Sequence, residues 1–359
     1  MSIIYDPSTD PDAGQKRRLL HLTEGCLSPR SAKTTRGVLL YSHHDSVGCV
    51  DSEAVGASTV ERLGAREDIP VKATVGEFLD GSVARPDTLV VGATPVGGKL
   101  PAPMRQAVKD ALKAGMDVWS GMHEFLVDDP EMVTLARETG AKIWDVRKPG
   151  KDLPVGSGAC LETKCRRILA VGTDCAIGKM TAALEIRAAA RKEGIHAAFV
   201  ATGQTGMMIE GWGSPIDAIA GDFMAGCVER DVLRVAEDND YVLIEGQGSL
   251  LHPGYSPVTL GLLHGCMPTD FLLCHQLGRT AISKREHIAI PSLSKMLEFY
   301  MDSVKPFGLA PRCIGVAINT WGHPEDAARS ACEAAAQELG LPATDPSRFG
   351  SAGILANWG

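Results

Sequence analysis

Short apolar runs alternate with amphipathic stretches along most of the chain. In the first half the runs fall at 19–22, 47–50, 70–73, 88–92, 116–119 and 141–146. Each is too short for a helix, which predicts buried strands. Between them, 103–114 places Met104, Val108, Ala111 and Leu112 at helical spacing, and 131–139 reads as a second helix. The second half repeats the rhythm. Strands are predicted at 168–171, 196–201, 241–244, 270–274 and 313–318, with helices at 182–192, 221–237 and 325–339. Met224, Val228, Val232 and Val235 fall near one face of the second of these helices. Strands alternating with helices predict α/β architecture with parallel sheets. The Gly/Pro-rich, charged stretch RKPGKDLPVGSG (147–158) divides the chain into a Rossmann-like domain over 1–150 and a second α/β domain over 151–359.

One stretch sharpens this outline. GTDCAIGKMT, residues 172–181, follows an apolar strand and opens an Ala-rich helix. Strand, glycine loop and helix together make a phosphate-binding loop. Its backbone N–H groups and the helix N-terminus converge on an anion, and Lys179 adds a full charge. Five residues separate Gly172 from Gly178, one more than in the common form. Met180 stands where a magnesium-binding Ser or Thr normally follows the Lys. Thr181 cannot take over, because one helical step turns its side chain about 100° away. A second element complements the loop: the strand Tyr241–Ile244 ends in Glu245-Gly-Gln247-Gly. A carboxylate at such a tip either faces a ligand or caps the strand, and the flanking glycines favour a ligand.

Composition narrows the function classes. The 359 residues are 44% hydrophobic and 22% charged, with a net charge of −8. That balance argues against nucleic acid or an anionic membrane as partner. The N-terminus lacks the pattern of a secretory signal, and nothing approaches a membrane-spanning run. Ten cysteines without a CxxC pair suit reduced thiols in a cytoplasmic protein. The pair in Ser42-His43-His44-Asp45 lacks a third ligand fixed by sequence, so a site-lining loop is the simpler reading and no metal is expected.

GTDCAIGKMT, ATGQTG (201–206), EGQG (245–248) and GVAINTW (315–321) resemble the nucleotide-binding core of dethiobiotin synthetase. A wider set covers almost the whole chain: YSHHDSVGCVDS (41–52), VVGATPVGGKLP (90–101) and DVWSGMHEFLVDDPE (117–131), with the linker and the loop. It resembles the family of DgcN-type D-glutamate N-acetyltransferases, which join a Rossmann-like domain to a P-loop domain. The resemblance implies acetyl transfer from acetyl-CoA to the amine of D-glutamate, a small acidic substrate.

On that reading Gly172, Thr173, Asp174, Cys175, Ala176, Ile177, Gly178, Lys179, Met180 and Thr181 bind acetyl-CoA. The loop and Lys179 would hold its pyrophosphate, and Lys179 or loop N–H groups would meet the developing oxyanion. Glu245 is the first choice of general base, with Asp222 and His252 behind it, although His252 also reads as a plain loop histidine. Asp174 would orient Lys179 or meet the amine. Cys175, at a helix N-terminus that should lower its pKa, is either an acetyl-carrying nucleophile or a small loop-filling residue, the latter preferred. Gly97, Lys99, Gln204, Gln247 and Arg279 are the expected substrate-binding residues; Lys284 and Arg285 read as surface charge. The Gly92–Lys99 stretch is a site wall or simply a shaped loop. A homodimer or higher homo-oligomer is expected. The competing readings are an ATP- and Mg-dependent ligase or kinase, which would need a nucleotide with Mg²⁺, and a nucleotide-binding regulatory module without turnover.

Overall fold

The computed structural model describes residues 3–7, 14–29, 31–81, 84–93 and 100–358. Internal packing divides the chain into two units. The first is Met1–Pro149 with Gln204–Pro215; the second is Gly150–Gly203 with Ile216–Gly359.

In the first unit the strands are β1 (Arg18–Leu22), β2 (Asp45–Val50), β3 (Val71–Lys72), β4 (Thr88–Val91), β5 (Asp117–Ser120) and β6 (Ile143–Asp145). They form one parallel sheet in the order β3-β2-β1-β4-β5-β6, the Rossmann arrangement. Every residue of β4 is buried, as a strand covered on both faces requires. The covering helices are α1 (Lys33–Tyr41), α2 (Thr59–Leu63), α3 (Ala102–Lys113) and α4 (Pro130–Thr139). Leu20, Leu89, Val108, Leu112, Met132 and Ile143 meet in one core. Local chemistry fixes the limits of α4. The Asp129 side chain accepts from the N–H groups of Glu131 and Met132, Pro130 fits the first turn, and Gly140 ends the helix in the left-handed region.

The second unit has a parallel sheet of β7 (Arg166–Gly172), β8 (Ala197–Val200), β9 (Tyr241–Ile244), β10 (Asp270–Gln276), β13 (Arg312–Asn319) and β14 (Ala343–Thr344), with a hairpin of β11 (Ala281–Ile282) and β12 (Arg285–Ala289) before β13. The order β14-β13-β10-β7-β9-β8 puts β7 between β10 and β9. Around it run α5 (Lys179–Lys192), α7 (Gly221–Ala236), α8 (Ser256–Cys266), α9 (Leu293–Val304) and α10 (Glu325–Leu339). The helix between α5 and α7, α6 (Gln204–Glu210), belongs to the first unit, where Thr205 Oγ1 lies 3.0 Å from Thr34 Oγ1 of α1. The stretch ATGQTG (201–206) thus turns directly into this helix. No helix among the described residues is long and apolar enough to cross a membrane.

Candidate active site in the second unit

Parallel strands deliver their C-terminal ends to one edge of a sheet, where open α/β folds bind ligands. In the second unit that edge carries the 173–178 loop after β7, Thr202 after β8, Glu245 after β9 and the hairpin after β10.

The glycine loop is braced from beneath. Tyr300 Oη, fully buried on α9, donates to the Gly172 carbonyl at 2.7 Å, and Ser249 Oγ donates to the Thr173 carbonyl at 3.1 Å. Thr173 Oγ1 lies 2.9 Å from His275 Nδ1. Gly178 enters α5 at φ 102°, a conformation only glycine takes without strain. Ala176 holds φ 53°, an uncommon value for a residue with a Cβ.

Lys179 is buried and folded inward. Its Nζ donates to the Asp174 carbonyl at 2.7 Å and the Gly248 carbonyl at 2.8 Å. Burial lowers its pKa, while Asp174 and Glu245 oppose that shift. Glu245 is also buried. Its Oε2 accepts from the N–H groups of Thr202 at 2.9 Å and Gly203 at 3.0 Å. Those bonds favour the carboxylate, but desolvation outweighs them and lifts the group to about 7. Asp217 pushes in the same direction. The neighbouring Gly246 is required sterically, since a Cβ there would collide with the Ala170 carbonyl oxygen.

The remaining expected residues fall into three groups. Asp174, Cys175, His252 and Arg279 join the cluster, but in altered roles. The Asp174 carboxylate does not orient Lys179, which takes only the residue's backbone carbonyl. It accepts from the Cys175 N–H at 2.7 Å, the Arg279 guanidinium at 2.6 Å and the Ser283 N–H at 2.8 Å. Arg279 is correspondingly committed, with its other arm on Gln276 Oε1 at 2.5 Å. The cation left facing the cluster is Arg285 on β12, whose guanidinium lies 3.1 Å from His252 Nε2. The helix N-terminus does not leave Cys175 acidic. Burial raises its pKa, against the opposing pull of Lys179, Arg285 and Arg279.

Gln204 and Gln247 hold backbone and neighbouring side chains. Gln204 lies in the first unit and accepts from Arg147 at 2.5 Å. Gln247 donates to the Thr202 carbonyl, tying the EGQG turn to the end of β8. Asp222 is exposed in the first turn of α7, and the acidic neighbour of Glu245 is Asp217 instead. Gly97 and Lys99 lie outside the described residues.

The Ser42–Asp45 histidines are not a site-lining loop. They sit where α1 enters β2, at the N-terminal edge of the first sheet, opposite the edge where such sheets bind ligands. There His44 Nδ1 accepts from the Arg17 N–H at 3.2 Å and the ring packs against Trp119.

Among the described residues, one group has metal-type convergence: ligand atoms of Asp174, Cys175 and His252 lie within 4.8 Å of one another. A cation would meet poor electrostatics there. The carboxylate already takes three donors, and Lys179, Arg279 and Arg285 crowd the same space. The cluster suits an anion.

Family models match both halves of the chain. A domain of unknown function described as the DUF1611 P-loop domain (DUF1611_C) matches residues 154–355, and the DUF1611_N Rossmann-like domain matches 52–149. A protein of Tritonibacter scottomollicae named D-glutamate N-acetyltransferase is 37% identical over 279 residues, 77% of this chain and 82% of that protein. A Pseudoalteromonas protein of the same name is 35% identical over 270 residues, 75% of this chain and 80% of its own length. The crystal structure of a DUF1611 family protein from Anabaena variabilis has a TM-score of 0.89 at 39% identity, covering 95% of this chain and 99% of that one.

Proposed function

The chain belongs to the DUF1611 family, and from that premise we propose that it acetylates the amine of D-glutamate with acetyl-CoA as donor. The relatives bearing that activity's name match three quarters of the chain and carry the choice of substrate. The observation that carries the chemistry is Glu245, a buried carboxylate lifted to about 7 beside a lysine and an anion-binding loop.

An ammonium cannot attack a carbonyl, so the substrate amine must first lose a proton. A base poised near neutrality does this best. Glu245 has one oxygen held by two N–H groups, which leaves the other to accept the proton. The tetrahedral oxyanion is met by loop N–H groups at the start of α5 and by Lys179. Arg285 anchors a substrate carboxylate, since the fork of Arg279 is occupied.

The sequence suggests two tasks for the loop, gripping the pyrophosphate of coenzyme A and stabilising the oxyanion. A whole pantetheine arm separates those groups in the donor, so one loop serves one of them. The grouping of Glu245, Lys179 and Arg285 around it supports the acetyl end.

The test is release of free thiol from acetyl-CoA, in EDTA, with a panel of D- and L-amino acids and the product identified by mass spectrometry. Release is expected with D-glutamate and unchanged by EDTA. No release with any amino acid would overturn the reading.

A further inference from the structure

We propose that acetyl transfer passes through Cys175 as a covalent acetyl-thioester, with His252 carrying the proton. The proposal rests on the acetyltransferase reading and adds an intermediate to it.

The two side chains come from distant parts of the chain. Cys175 stands in the phosphate loop after β7, and His252 in the turn that follows β9. The fold nevertheless sets the thiol sulfur, a ring nitrogen of His252 and an Asp174 oxygen within 4.8 Å of each other. Nucleophile and base at close range are what covalent acyl transfer requires. The thiol is also reachable. Of the ten cysteines, eight are buried, and only Cys175 and Cys26 are partly exposed. At rest burial, with Asp174, raises the thiol's pKa against the pull of Lys179, Arg285 and Arg279, so the proton leaves only with help from the nearby His252. The loop that carries Cys175 runs on into the start of α5. No side chain caps that helix start, and its N–H groups are the donors the relay assigns to the acyl oxyanion.

His252 is suited to the proton. Burial and the nearby Arg285 lower its pKa, so the imidazole is neutral near pH 7 and has a lone pair to offer. In the structure Nδ1 takes the Gly254 N–H at 3.2 Å, and Nε2 faces the Arg285 guanidinium at 3.1 Å. A neutral imidazole can accept at only one nitrogen. The Gly254 and Arg285 donors therefore compete for one lone pair, and the Cys175 proton takes it by displacing whichever of them holds it, with no amine needed. Tyr255, stacked on the imidazole at 4.4 Å, fixes the plane of the ring.

The first half-reaction moves the Cys175 proton to His252. The sulfur then attacks the thioester carbon of acetyl-CoA. The bond from that carbon to the coenzyme A sulfur breaks, and the leaving thiolate takes the proton back from His252. In the second half-reaction Glu245 accepts a proton from the D-glutamate amine, whose nitrogen attacks the acetyl-Cys175 carbonyl. As the carbon–sulfur bond breaks, the nitrogen gives up a second proton through His252 to the departing Cys175 thiolate; N-acetyl-D-glutamate leaves, and Glu245 returns its proton to solvent. No oxidant, reductant or metal enters the balance.

The experiment is isotope exchange between acetyl-CoA and labelled coenzyme A without any amine, with intact-protein and peptide mass spectrometry of the same samples. Exchange with wild-type protein, and one acetyl group on Cys175 that D-glutamate removes as product, is the expected result. Cys175→Ala should abolish exchange and lower turnover on the order of 10³-fold. Cys175→Ser, nearly isosteric, should keep the fold and lose exchange, and His252→Gln should slow exchange more than it weakens coenzyme A binding. Wild-type turnover with no exchange, or a Cys175→Ala variant with near-normal turnover, overturns the relay and leaves the acetyltransferase reading standing. Absence of wild-type turnover overturns that reading, and the relay with it.

Discussion

At the scale of single residues, Glu245 sets the pH behaviour. A base must be ionised to accept a proton, so with its group at about 7 we expect kcat/KM to rise with pH through an acid limb centred near 7. Glu245→Gln should remove that limb and lower kcat by roughly a hundredfold or more. A limb that persists in the variant would assign the base elsewhere. Lys179 allows a sharper separation. If the loop works at the acetyl end, Lys179→Ala should lose the same factor with acetyl-CoA and with a short acetyl-thioester that lacks the nucleotide. A penalty confined to acetyl-CoA would place the pyrophosphate on the loop instead. Glu245 and Lys179 were legible in the chain because each is announced by its own neighbours, an apolar strand before it and glycines beside it. The commitment of Arg279 to Asp174 was not, nor the approach of His252 to Cys175. Such pairings between distant segments are made by topology and leave no local pattern.

At the scale of elements, the strands were readable because a parallel sheet covered on both faces makes continuous apolar runs. Helices were less so. The α1 helix buries Thr34, Thr35, Gly37 and Val38, small or polar residues that draw no apolar stripe. The α8 helix is apolar almost all round and gives no clear period. The β11–β12 hairpin that supplies Arg285 and the Ser283 N–H is largely polar and reads as plain loop. Packing between elements carries its own expectation. Gly246→Ala, whose Cβ would strike the Ala170 carbonyl, should cost about 2–3 kcal/mol. Gly150→Ala, with nothing within 4 Å of the new Cβ, serves as the control. Urea midpoints of the two variants decide it; equal midpoints would mean that the close approach relaxes freely.

At the scale of the whole molecule, the first unit should weaken in mild acid. His21, fully buried in β1, and His44 are both held at about 3 against 6.5 in the unfolded chain. Above pH 6.5 neither state binds the proton and the groups add no pH dependence. Below it the unfolded chain takes up protons that the folded unit refuses, so stability falls by about 1.4 kcal/mol per pH unit for each group. Asp145 opposes this. Burial raises it to about 6, so below that pH the folded state binds its proton first and regains part of the loss. A net decline from pH 7 to 5 is expected in denaturant titrations, and His21→Leu should flatten it.

The excursion of Gln204–Pro215 into the first unit bears on how the protein is made. A ribosome delivers the chain in order, and the first unit lacks its last helix until residue 215 has emerged. By then β7, the phosphate loop, α5 and β8 are already outside. The first unit therefore cannot finish before the second has begun, and the two mature as interleaved nascent structures. A gene cut at residue 150 would yield an N-terminal product missing the helix that packs on α1.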